Sequence, residues 1–124
     1  MFRCVRLCRK SVNNGDFMTV SELCEKCGFE AVVMPDADRD VSGVYIGDLL
    51  SWVMGRAKAD NAWITIMSNI NIVAVASLAD VACIILAEGV AVDDNIKNTA
   101  EAKGVNILSS GLPAYETALA ISGI

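Results

Sequence analysis

The sequence predicts an α/β domain whose central sheet is mainly parallel. Three observations carry that expectation. Short apolar runs alternate with helical segments in the order strand, helix, strand, helix, strand, helix, and consecutive β-α-β units imply parallel strands with right-handed crossovers. The chain is 54% hydrophobic but only 6% aromatic, so its apolar mass is Ala, Val, Ile and Leu, which suit buried strands and closely packed helices. The most apolar stretch, Asn71 to Val92, is interrupted by Asp80 near its middle. A membrane-spanning helix needs about 20 mostly apolar residues, so this stretch reads as helix and strand inside a core and not as a membrane span.

At 124 residues the chain has the size of one domain. Residues 1–17 hold four of the ten basic groups and only Asp16 as an acid. They read as a leader or arm, and residues 18–124 as the domain. No apolar run follows the basic residues, which argues against a secretory signal.

Thr19-Val20-Ser21-Glu22 has the spacing of a capping box, opening a short helix with Leu23 and Cys27 on one face and Gly28 at its end. Phe29–Met34 has strand character, and the following Pro35–Ser42 reads as a polar loop. Val44–Ile46 is a short strand. Asp48 then sits where it would cap a helix whose buried stripe is Leu49, Leu50 and Val53. Ala62–Met67 reads as a strand buried on both faces. The next helix, Ile70–Ala79, places Ile70, Val73, Ala74 and Ser77 at helical spacing. Ala82–Ala87 is the following strand. Asp93-Asp94-Asn95 favours a helix start by capping and by the helix dipole, and that helix ends at Gly104. Val105–Leu108 is the last strand, followed by a helix over Ala114–Ile121 with Pro113 at its first turn.

What is missing narrows the chemistry. With no histidine, Ser-His-Asp and Cys-His nucleophile systems and His-ligated metal sites are excluded. No G-x-x-x-x-G-K-[ST] and no G-x-G-x-x-G occurs, so neither a P-loop kinase nor a dinucleotide fold is expected. A net charge of −5 disfavours nucleic acid and anionic membranes as partners. The five cysteines form an odd set without a secretory signal, which fits free thiols in a reducing cytoplasm. Cys24-Glu-Lys-Cys27 is the sharpest local pattern. Packing is the favoured reading; a zinc site with Cys4 and Cys8, or a redox pair, is the alternative. Asp36, Asp38 and Asp40 lack the glycine and glutamate of a calcium loop and read as solvated. Trp52 and Trp63 are expected as core or interface anchors.

In parallel sheets, ligands bind beyond the carboxyl ends of the strands. Ser68, Asn69 and Asn71 follow one strand, Glu88 and Gly89 the next, and Ser109 and Ser110 a third; these groups either converge at one rim to bind a small polar ligand or cap helices and make turns. Asp48 and Glu88 are the carboxylates an enzyme would use there as acid and base.

The run Val44–Leu86, VYIGDLLSWVMGRAKADNAWITIMSNINIVAVASLADVACIIL, resembles stand-alone DRTGG-type domains, which are related to the N-terminal domain of HPr kinase/phosphorylase. Gly47-Asp48-Leu49-Leu50, Trp63–Ile66, Asn71–Ala76 and Cys83–Gly89 carry the resemblance, which extends roughly from Thr19 to the end. It implies a three-layer α/β/α fold and a regulatory, non-enzymatic role through ligand binding or oligomer assembly, with no cofactor. By analogy with the related domain of Mur ligases it gives Gly47 and Asp48 a nucleotide-binding role. Where the family's name motif would stand, this chain reads Met67-Ser-Asn-Ile-Asn71. The high apolar fraction in a small chain adds the expectation of a homo-oligomer.

Overall fold

The computed structural model describes residues 18–123, so residues 1–17, with Cys4 and Cys8, lie outside the described residues. The chain runs β1 (Met18–Thr19), α1 (Val20–Cys27), β2 (Glu30–Val33), β3 (Asp40–Val41), β4 (Val44–Ile46), α2 (Leu50–Arg56) and β5 (Ala62–Thr65). It continues with α3 (Asn71–Ala79), β6 (Cys83–Leu86), α4 (Asp94–Lys103), β7 (Ile107–Ser109) and α5 (Ala114–Ser122). The main sheet has strand order β2-β7-β6-β5-β4; β1 and β3 form a separate two-stranded ladder.

Strands β4 to β7 are parallel and lie side by side in chain order, while β2 joins β7 antiparallel. The mainly parallel α/β expectation therefore holds, with one reversed strand at an edge. Side chains alternate across the sheet and divide the core in two. Trp63, Ile84, Leu86 and Ile107 face α2, α3 and α4 through Val53, Ile72, Val73, Ala76, Ile96 and Ala100. Ala62, Ile64, Cys83, Ile85 and Leu108 face α1 and α5 through Val20, Leu23, Cys24, Ala114, Ala118 and Ile121. Helices thus cover both faces, giving three layers.

The helix ends follow their local chemistry. Thr19 Oγ1 accepts from the Glu22 amide at 3.1 Å, and the Thr19 amide donates to the Glu22 carboxylate at 3.0 Å. This reciprocal pair satisfies donors that the first turn leaves open. Asp93 Oδ1 accepts from the Ile96 amide at 2.9 Å and starts α4. Gly28 and Gly104 end their helices with φ of 72°, the left-handed region where a side chain would strain the backbone. No helix of the described residues is long and apolar enough to cross a membrane.

Three local expectations are corrected. Helix α3 buries Ile72, Val73, Val75 and Ala76, whereas Ile70, Ala74 and Ser77 of the expected stripe face outward. The helix is apolar nearly all round, so spacing leaves its phase undefined, and packing between α2 and α4 decides it. Leu49 is 60% exposed, because it stands at the cap position before the helix and not on its inner face. The polar loop after Pro35 contains β3, a two-residue ladder too short to leave a pattern in the sequence.

Candidate functional site

The carboxyl ends of β4, β5, β6 and β7 line one rim, and their loops are ordered across it as the strands are. Gly47-Asp48 follows β4, Ile66–Ile70 follows β5, Ala87–Gly89 follows β6, and Ser110–Leu112 follows β7. The expected site residues do share this rim. What separates them is whether each group is free or already engaged.

Asp48 is engaged. Its Oδ1 accepts from Thr65 Oγ1 at 2.8 Å and from the Ile66 amide at 3.0 Å. It makes no cap to α2, whose N-cap Leu49 has no side-chain bond. The neighbouring strand end offers two donors at closer reach, so the carboxylate ties the β4 and β5 loops together. Gly47 serves the same junction: its amide donates to Ile64 O at 3.1 Å, and its carbonyl accepts from buried Trp63 Nε1 at 2.9 Å. A Cβ at Gly47 would stand 2.9 Å from the Tyr45 ring, so the glycine makes room for that ring. Asn69 Oδ1 accepts from the Asn71 amide at 2.9 Å and shapes the entry into α3.

The β6 and β7 loops are stitched together. The Glu88 amide donates to Leu112 O at 2.8 Å and the Gly89 amide to Ser110 O at 2.9 Å. Helix α4 leaves β6 toward one face, whereas α5 leaves β7 toward the other. Adjacent strands whose connections diverge in this way open the crevice where α/β sheets bind ligands. Glu88 follows the end of β6 with φ 64°, a left-handed conformation costing on the order of 1–2 kcal/mol for a residue with a side chain. Gly89 follows at φ 66°. Ser110, expected at the rim, is instead buried: its hydroxyl pairs with Thr117 Oγ1 at 2.8 Å and accepts from the Leu112 amide at 3.1 Å.

The side chains of Ser68, Asn71 and Glu88, and of half-buried Ser109, make no hydrogen bonds within the described residues and are free to meet a solute. Exposed Ile66, Ile70 and Leu112 stand among them. Asp48 and Glu88 follow strands two places apart, about 10 Å by strand spacing, with the β5 loop between them.

The thiols occupy another part of the molecule. Cys24 and Cys83 are buried in the core beneath α1 and α5, Cys27 packs at its edge, and all three are free. Cys24 Sγ donates to Phe29 O at 3.2 Å. Desolvation raises the pKa of Cys24 and Cys27, and pushes Cys83 up to about 12. Thiols held protonated are poor nucleophiles and poor metal ligands. No group of three or more metal-ligating side chains occurs among the described residues.

A family model for the DRTGG domain matches residues 22–124. The chain belongs to the DRTGG domain family. The DRTGG match spans every strand of the main sheet and all the rim loops. Among solved structures, this DRTGG chain is similar to the CBS and DRTGG domains of the regulatory region of Clostridium perfringens pyrophosphatase, complexed with the activator diadenosine tetraphosphate. That likeness has a TM-score of 0.71 at 11% identity and covers 95% of this chain and 55% of that one. The chain thus spans about half the length of the structure it matches, and at this identity the likeness speaks for the fold. No curated protein matches the chain.

Proposed function

We propose that this DRTGG domain is a non-enzymatic regulatory module that binds a small anionic or nucleotide-like ligand at the carboxyl rim and works as a homo-oligomer. In this reading it is related to the accessory N-terminal domain of HPr kinase/phosphorylase, without a kinase domain's phosphate-binding loop. The supporting observation is the DRTGG match across the whole rim, together with the likeness to a regulatory region holding a nucleotide activator.

The free rim groups fit such a ligand. The Glu88 carboxylate accepts from ribose hydroxyls or a base amino group, while Ser68 and Asn71 offer donors and acceptors to the rest. Exposed Ile66, Ile70 and Leu112 give a base an apolar surface. Gly47, Asp48, Asn69 and Gly89 act indirectly, by holding the loops in place. The free thiols among the described residues agree with a reducing, cytoplasmic setting. Residues 1–17 are read as a leader or arm preceding the domain.

The test is a thermal-shift and calorimetric titration of the full chain with diadenosine tetraphosphate, ATP and AMP. A ligand that binds the native state stabilises it by mass action, by about 2.7 kcal/mol at a hundred times Kd, and so raises the melting point. Glu88→Gln and Asn71→Ala are expected to weaken binding about tenfold each, the worth of one hydrogen bond near a charge. Asp48→Asn keeps an acceptor for Thr65 and Ile66 and should change binding less. No shift at millimolar concentrations of any of these compounds would overturn the ligand reading.

A further inference from the structure

The main sheet ends in two edge strands, and the two edges are finished differently. β2 carries exposed Glu30 and a bulge between Ala31 and Val33. Charge and bulges are the devices by which natural edges resist pairing with another strand. β4 has neither: Gly43-Val44-Tyr45-Ile46-Gly47 contains no charge and no proline. The Ala62 amide donates to Gly43 O at 3.0 Å, and the Gly47 amide donates to Ile64 O at 3.1 Å. Backbone groups alternate along a parallel strand, so those of Gly43, Tyr45 and Gly47 face β5 and those of Val44 and Ile46 point away from the sheet. Among the described residues β4 pairs with β5 alone. Val44 and Ile46 are 38% and 49% exposed.

We propose that β4 pairs antiparallel with β4 of a second copy of this chain, about a twofold axis at Tyr45, so that two sheets become one. The strand is complementary to itself. Val44 of each copy exchanges both of its outward bonds with Ile46 of the other, and Gly43 falls opposite Gly47. Asp48 falls opposite Ser42, so no carboxylates meet although each chain carries a net charge of −5. That neutrality selects a second copy as the occupant: a charged peptide would find no opposite charge in this window, whereas an identical branched apolar strand matches it. β-branched pairs across an antiparallel ladder also stabilise it. The inference rests on the self-association half of the proposed function and supplies its surface.

Sedimentation velocity on the full chain, from low to high micromolar concentration, is expected to show a dimer. Hydrogen exchange on the unmodified chain should show the Val44 and Ile46 amides slowing as concentration rises, while the exposed loop amides do not. Val44→Lys with Ile46→Lys should weaken the dimer at least tenfold. Ile46→Pro should do the same, since it removes only an outward donor at an edge where proline is tolerated. If the double variant fails to fold, Ile46→Pro and the exchange data decide. Glu30→Gln, on β2 at the far edge of the sheet, should leave the dimer intact. A dimer that survives both β4 variants, with unchanged exchange at Val44 and Ile46, overturns this surface while leaving self-association in place. A wild-type chain that is monomeric throughout overturns both, and leaves the ligand titration to stand or fall alone.

Discussion

At the amino-terminal end of the parallel strands, polar side chains close the gaps between loops; at the carboxyl-terminal end, several are left open to solvent. Asn106, just before β7, is 1% exposed, and its amide group bridges the Asp36 amide, Asp36 O and Ala82 O at 2.9 to 3.0 Å. Asn61, just before β5, links the Lys58 amide to Ser42 O, each at 2.8 Å. Arg39 reaches Asp60 at 2.8 Å and Asp80 at 2.9 Å, both residues held at positive φ. Across the molecule, Ser68, Asn71 and Glu88 have no such engagement. The difference separates scaffold from proposed binding surface: the amino end engages its polar groups to hold the fold, while the carboxyl end leaves these three unengaged.

This contrast can be broken by substitution or pH, and the largest effects belong to the amino end. Asn106→Ala leaves the buried Ala82 carbonyl without its partner and removes both bonds to the Asp36 backbone, costing about 3 kcal/mol in a denaturant titration. Cys83, the first residue of β6, should dominate the alkaline side. Desolvation, with Cys24 adding, lifts its thiol from 9.0 in the unfolded chain to about 12. A folded-state value above the unfolded one means stability is complete below pH 9 and declines as pH rises toward 12, at about 1.4 kcal/mol per pH unit. Denaturation midpoints at pH 8 and pH 10.5 measure this slope, and Cys83→Ala should flatten it.

Arg39→Met is expected to cost about 1 kcal/mol, because Asp60 and Asp80 are partly exposed and solvent screens the pairs. At the carboxyl end the sign reverses. Glu88→Gly relieves left-handed strain and should stabilise the fold by less than about 1 kcal/mol, while weakening the proposed ligand. If Asn106→Ala proved harmless and Glu88→Gly strongly destabilising, the assignment of scaffold and site to the two ends would be reversed.

Much of the fold was legible because it is written in local chemistry. The capping box at Thr19, the cap at Asp93, the glycine stops at Gly28 and Gly104, and the apolar strands around Trp63 and Ile84 all declare themselves within a few residues. The direction of β2 was not legible, since it depends on pairing with residues far along the chain. Asp48 was misread for the same reason: a carboxylate before a helix reads as a cap, but Thr65 and Ile66 lie closer in space. Asn61, Asn106 and the Arg39 clamp were missed altogether, because an isolated amide or a pair of distant charges leaves no periodic trace. The rim was found by a positional rule and not by motif. That rule brought Asn69 and Ser110 together with Ser68, Asn71 and Glu88, without telling engaged groups from free ones, and the family resemblance added Asp48, which is engaged as well.

The reversed strand also governs how the chain can be made. Glu30 near the start of the described residues is matched to Ser109 near their end, and β2 has no other neighbour in the sheet. During synthesis, residues 30–33 must therefore wait until residues 107–109 leave the ribosome before they can join the sheet. Closing so long a loop costs entropy before any contact compensates it, which slows folding. A nascent chain stalled before β7 would display the apolar flank of β6, and at that stage it would be most exposed to aggregation or chaperone capture.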